Sequence, residues 1–111
     1  MSIPITINLD CYKGQTFIQN LYFKHNGEAI DLTGKTARAQ IRHYKNDPDL
    51  AAEFRVVIYP EYGKVALNLS ADETAALMPG IYCYDMKMTD ENDIVKYWIE
   101  GTFHVKGRVT E

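Results

Sequence analysis

Apolar residues recur at every second position over most of this chain. Ile3, Ile5, Ile7 and Leu9 alternate with Pro4, Thr6 and Asn8, the period-two signature of a strand with one buried side. Pro4 has no N–H to give to a ladder, so this first segment is expected to be an edge strand or an arm. Phe17, Leu21 and Phe23 mark one face of a strand over Thr16 to Lys24. Ala37, Ala39 and Ile41 mark the inner face of a strand over Thr36 to Tyr44, with Arg38, Gln40 and Arg42 outward. Glu53 to Tyr59 carries Phe54, Val56 and Ile58. The segments Val65 to Leu69 and Ile81 to Met88 alternate in the same way. The last run, Ile94 to Lys106, sets Val95, Tyr97, Ile99, Phe103 and Val105 on its odd positions. Gly101 shares that parity and is expected to mark a bulge or a bend between sheets.

The punctuation between these runs is equally regular. Asn26-Gly27 predicts a tight hairpin turn, Asp31 to Gly34 a corner, Lys45 to Asp49 a loop, Pro60 to Gly63 a turn and Thr89 to Asp93 a hairpin tip. Ser70 followed by Glu73 is a capping box, which predicts one short helix near residues 71–77, stopped by Pro79-Gly80. Short strands spaced about ten residues apart with turn signals between them indicate an all-β fold: a two-sheet antiparallel sandwich, immunoglobulin-like or jelly-roll-like. Tyr82, just after Pro79-Gly80, is either a tyrosine corner bonding back to the preceding connection or a plain core tyrosine. The organisation expected is an arm or edge strand over residues 1–10 and a single sandwich domain over residues 11–111.

Composition narrows the function classes. With 111 residues, 46% hydrophobic and 12% aromatic, the chain makes one folded domain. A net charge of -3 argues against direct nucleic-acid binding, which needs a concentrated basic face. No apolar run nears the about 20 residues of a membrane span, and the N-terminus lacks a signal-peptide pattern. Cys11 and Cys83 are therefore expected to be free thiols. His25, His43 and His104 are scattered and no Cys-x-x-Cys occurs, so no metal or other cofactor is expected. Asp90, Glu91 and Asp93, like Asp47 and Asp49, read as turn residues before they read as a cation loop. Ser70 is occupied as a cap, no Gly-x-Ser-x-Gly surrounds it and no phosphate loop exists. No catalytic residue is assigned, and the chain is expected not to be an enzyme.

Candidate contact residues remain. The arm residues Ile3, Ile5, Ile7 and Leu9 could close the chain's own sandwich or add to a neighbour's open edge. Trp98 falls on the outward parity of the last strand, with Lys96, Glu100 and His104; burial within the chain or against a partner is favoured over sugar stacking. Arg38 and Arg42, with Arg55, form a basic stripe, either a solvated face or a docking surface for acidic groups.

Several of these stretches taken together resemble a known family. Asp31-Leu32-Thr33-Gly34, Ala37-x-Ala39-x-Ile41-Arg42, Leu69-Ser70-Ala71-x-Glu73-Thr74-Ala75-x-Leu77, Pro79-Gly80-x-Tyr82-x-Tyr84-Asp85 and Gly101-Thr102 resemble small β-sandwich virion structural proteins of tailed double-stranded DNA bacteriophages. The likeness runs over about residues 14–110, and in size it is greatest to the capsid staple proteins of short-tailed phages. It implies a non-enzymatic decoration protein, made in the host cytoplasm and placed on the outer capsid surface. There it would bind the major capsid protein as a homo-oligomer, a dimer, and staple the shell against internal DNA pressure. The alternatives are a tail-fibre or baseplate adapter and a carbohydrate-binding module. The expected partner-binding set is Ile3, Ile5, Ile7, Leu9, Trp98, Arg38 and Arg42.

Overall fold

The computed structural model describes residues 3–110, so the first two residues of the expected arm lie outside the described residues. In chain order the elements are β1 (Ile5–Thr6), β2 (Leu9–Tyr12), β3 (Phe17–Tyr22), β4 (Lys24–His25), β5 (Glu28–Ala29), β6 (Thr36–Arg42), β7 (Ala52–Tyr59), β8 (Lys64–Leu69), α1 (Ala71–Ala75), β9 (Gly80–Thr89) and β10 (Val95–Lys106), with a 3-10 turn over Pro60–Tyr62. Hydrogen-bonded neighbours run β1-β10-β9-β6-β7-β8-β3, and β2 also pairs with β10. β7 belongs to both layers. Phe54 pairs with Ala39 of β6, while the next residue, Arg55, already pairs with Asn68 of β8. The path therefore folds over at β7 into two layers, which we call sheet A (β1, β2, β10, β9, β6 and the start of β7) and sheet B (the rest of β7, β8 and β3). This is the expected all-β sandwich with one short helix. It departs from a purely antiparallel one because β1 and β2 run parallel to β10.

Alternation places the core between the layers. Phe17 and Leu67 from sheet B and Ile41, Met86 and Phe103 from sheet A are buried there. Phe103 stands edge-on to Phe17 (ring centroids 5.2 Å apart) and to Phe54 (5.4 Å), and Phe54 is edge-on to Tyr84 (5.8 Å). Such pairs contribute about 0.5–1.5 kcal/mol each beyond the area they bury. They join both sheets to the strand that crosses between them.

The N-terminal segment closes the chain's own sandwich. The Ile7 amide donates to the Glu100 carbonyl at 2.9 Å, the Tyr84 hydroxyl donates to the Ile7 carbonyl at 2.6 Å, and the Thr102 amide donates to Asn8 Oδ1 at 3.1 Å. Gly101 makes this approach possible. It pairs regularly with Tyr84, and a Cβ on it would lie 2.1 Å from the Ile7 carbonyl oxygen. The irregularity expected at Gly101 sits instead at Trp98, where the register steps from Tyr97↔Lys87 to Ile99↔Met86. The extra residue breaks the parity, so Trp98 (9% exposed) and Ile99 (0%) both turn inward. Trp98 meets Phe23 edge-on, centroids 5.1 Å apart.

The capping box forms as expected. The Ser70 amide donates to Glu73 Oε1 at 2.8 Å and the Glu73 amide to Ser70 Oγ at 3.1 Å. The helix ends at Ala75 rather than 77, because Lys13 Nζ donates to the carbonyls of Ala75 and Leu77 and closes it there. Tyr82 is buried, and its hydroxyl donates to the Met78 carbonyl at 2.6 Å. Tyrosine corner and core tyrosine thus describe the same side chain.

Gly101→Ala is expected to release the N-terminal segment without unfolding the centre. Hydrogen exchange should show the Ile7 amide losing protection while β6 and β9 amides keep theirs. An Ile7 amide as protected as in the parent would disprove the close-approach role of Gly101.

Candidate functional site

The residues assigned to partner contact are distributed by the fold in ways the linear pattern did not show. Ile3, Ile5 and Ile7 pack half-buried against the core, and Leu9 and Trp98 are buried within it. The basic stripe does not form. Arg38 and Arg42 lie on sheet A, but the crossing at β7 carries Arg55 to sheet B. Each arginine also has a partner within the chain. Arg38 grips Glu53 (Nε to Oε2 2.6 Å, Nη2 to Oε1 3.2 Å), which holds the Glu53 carboxyl below its ordinary pKa. Arg42 donates to the Asp47 carbonyl and to Gln40 Oε1, both at 3.0 Å, and Arg55 pairs with Glu73. The acidic tips serve their turns: Asp90 Oδ1 accepts from the amides of Asn92 (2.8 Å) and Ile94 (3.0 Å), and Asp47 Oδ1 from the amide of Asp49 (3.0 Å). No group of three metal-ligating side chains occurs among the described residues.

Two surfaces stand out instead, one on the outside of each sheet. On sheet A a groove of about 890 Å³ runs between the N-terminal segment (Pro4, Thr6, Asn8) and the loop after β6 (Tyr44, Lys45, Asn46). Register builds its floor: Thr6, Glu100, Asp85 and Gln40 stand side by side across four strands, with Thr102, Cys83 and Arg42 in the next row. Like charges set directly opposite repel. Asp85 is exposed, yet partial desolvation by the groove walls, and then the neighbouring Glu100, raises its pKa. Arg42, Lys87 and Lys45 offset part of that rise.

On sheet B the outward residues of β3, β8 and β7 form three rows: Ile18, Asn68 and Arg55; Asn20, Ala66 and Val57; Tyr22, Lys64 and Tyr59. Four large apolar side chains are exposed here, Ile18 (62%), Tyr22 (58%), Val57 (44%) and Tyr59 (41%). Ile18, Val57 and Tyr59, with the small Ala66, line a hollow of about 590 Å³ that extends toward Ser70 and Ala71. Lys64 Nζ lies 4.6 Å from the Tyr59 ring centre and 6.0 Å from that of Tyr22, positions at which a cation is drawn to aromatic faces. β3 is the end strand of the path, so its outer edge is unpaired among the described residues. The linear pattern did carry a signal for this face. Phe17, Leu21, Val56 and Ile58 account for one parity of β3 and β7, yet Ile18, Tyr22, Val57 and Tyr59 make the other parity apolar too.

No family model matches the chain, and no curated protein matches it. Among solved structures it is similar to CopC from Methylosinus trichosporium OB3b, with a TM-score of 0.53 and 11% identity over 94% of this chain and 88% of that one. At that identity the likeness concerns the fold alone. It does correct the expected function. The likeness reported is to CopC, and neither family models nor curated proteins link the chain to phage capsid proteins. The capsid-staple reading is withdrawn, together with the alternatives set beside it.

The groove carries a pH signature. A carboxyl whose folded-state pKa exceeds its unfolded value favours the fold below the unfolded pKa and loses that contribution as pH rises through the folded one. Asp85→Asn, which removes the charge, is therefore expected to raise the urea midpoint at neutral pH, and the gain should vanish in acid below the ordinary carboxylate range. Paired urea melts at the two pH values check this. An equal gain in acid would mean that ionisation of Asp85 is not the cause.

Proposed function

We propose that the chain is a non-enzymatic protein-binding module that docks through the outer face of sheet B. The observation that carries this reading is the coincidence of Ile18, Tyr22, Val57 and Tyr59, all exposed, on one sheet whose end strand is uncovered. Isolated exposed apolar side chains are ordinary on a protein surface, but a contiguous set marks an interaction surface. Tyrosines beside a cation and a shallow apolar hollow are the composition of an interface centre. The scaffold suits the role: the face is backed by Phe17, Leu21, Val65 and Leu67, all buried, so little ordering is required when a partner binds. The groove on sheet A has a floor of polar and charged residues, Thr6, Gln40, Asp85 and Glu100 in one row, and its arginine is already bonded within the chain.

Hydroxyl-radical footprinting tests the reading on the chain in its native cellular setting against the purified chain. Tyr22 and Tyr59 are expected to be protected in the cell, several-fold relative to Tyr44 and Tyr97 on the other side of the molecule. Equal reactivity of the two pairs of tyrosines in the two settings would refute docking through sheet B.

A further inference from the structure

Resting on that reading, we infer how the partner is held: it adds an extended strand to the free edge of β3 and presents a carboxylate to Lys64. The edge is the first reason. Natural edge strands are normally blunted by charge, proline, a bulge or brevity. β3 reads Phe-Ile-Gln-Asn-Leu-Tyr over Phe17–Tyr22, six residues with no charge and no proline, and its pairing to β8 is regular from end to end. In an antiparallel pairing, alternate residues of an end strand direct N–H and C=O groups away from their neighbour. Such a row is what a strand-adding ligand uses for affinity, with side-chain sites on alternate residues giving specificity.

The second reason is charge. Lys64 makes no ion pair among the described residues, and it sits between two tyrosine rings in the row that ends at the edge through Tyr22. The face's other cation, Arg55, is held by Glu73, which the Ser70 cap also engages. Among the outward residues of β3, β7 and β8, Lys64 is thus an unpaired cation and no acidic residue stands beside it in the rows. A second copy of this chain pairing edge to edge would bring another Lys64 and another Arg55–Glu73 pair, and no acidic residue within the outward rows of its own sheet B. A strand from a different protein is therefore the better fit. On its inner parity it carries apolar residues that extend the core beside Phe17 and Leu21. On its outer parity it carries an acidic residue at the Tyr22–Lys64 row and an apolar one beside Ile18.

The probes are two short capped peptides, one alternating Val with Glu and the other alternating Val with Lys, titrated into the full chain with NMR and amide exchange as readouts. The glutamate peptide is expected to bind more tightly and to protect alternate amides of β3. Lys64→Glu should reverse the preference, each change being on the order of tenfold, as for a charge-assisted contact. Thermal melting of the variant confirms that it folds. Shifts at Tyr22 and Tyr59 with no new protection along β3 would overturn strand addition and leave the docking face standing. A preference that ignores the sign at Lys64 would overturn the acidic partner. Absence of any response along β3 to either peptide would overturn the proposal, while the footprint of Tyr22 and Tyr59 decides the docking reading independently.

Discussion

The structure depends on one strand changing sheets. β7 leaves β6 at Phe54 and joins β8 at Arg55, and nothing about a sandwich closes unless that crossing is held. Phe54 holds it. Its ring lies within 5.8 Å of Phe17, Phe103 and Tyr84, residues of β3, β10 and β9. The aromatic cluster therefore ties both layers to the crossing point. Edge-to-face packing suits this place because it is directional as well as hydrophobic, so it orients the layers besides drawing them together.

The same crossing allocates the surfaces. It separates Arg55 from Arg38 and Arg42, and it places Val57 and Tyr59 beside β8 and β3. Tyr84 makes a second allocation: its ring packs on Phe54 while its hydroxyl holds the Ile7 carbonyl. Core packing and closure of the N-terminal segment thus pass through one residue. A tyrosine hydroxyl is a donor at neutral pH in any case, and burial, which disfavours the phenolate, raises the Tyr84 pKa further. Sheet A consequently ends in the short N-terminal strands β1 and β2, whereas sheet B ends in the longer β3.

Strand positions were legible to within a few residues, because burial on one face of a pleated strand enforces period two whatever the neighbours are. The cap at Ser70 and the turn at Asn26-Gly27 were legible for a similar reason: both are local, and Asn26 and Gly27 adopt the positive φ values (52 and 82°) that such turns require. Trp98 was legible only as a choice. Its outward parity was real along the sequence, but the bulge that cancels it arises from pairing with β9 and has no local signature. Gly101 was singled out correctly as unusual, yet its reason is the carbonyl of a residue far away in sequence.

The sequence by itself determined the longer strands and their order, the short capped helix and the two-layer class, since each rests on contacts between residues close along the chain or on periodicity within one strand; the short strands β2 and β5 exist only through their pairing partners. It did not determine function, and its resemblance to phage structural proteins led to a role that the structural likeness does not support. Only the tertiary structure decided which apolar residues face water. Ile18 and Val57 are as hydrophobic as Ile7 and Val65, and composition does not separate them. Their exposure follows from which strand lies next to which, and from β3 being last in the sheet, a property of the whole path of strands and of no single segment in it.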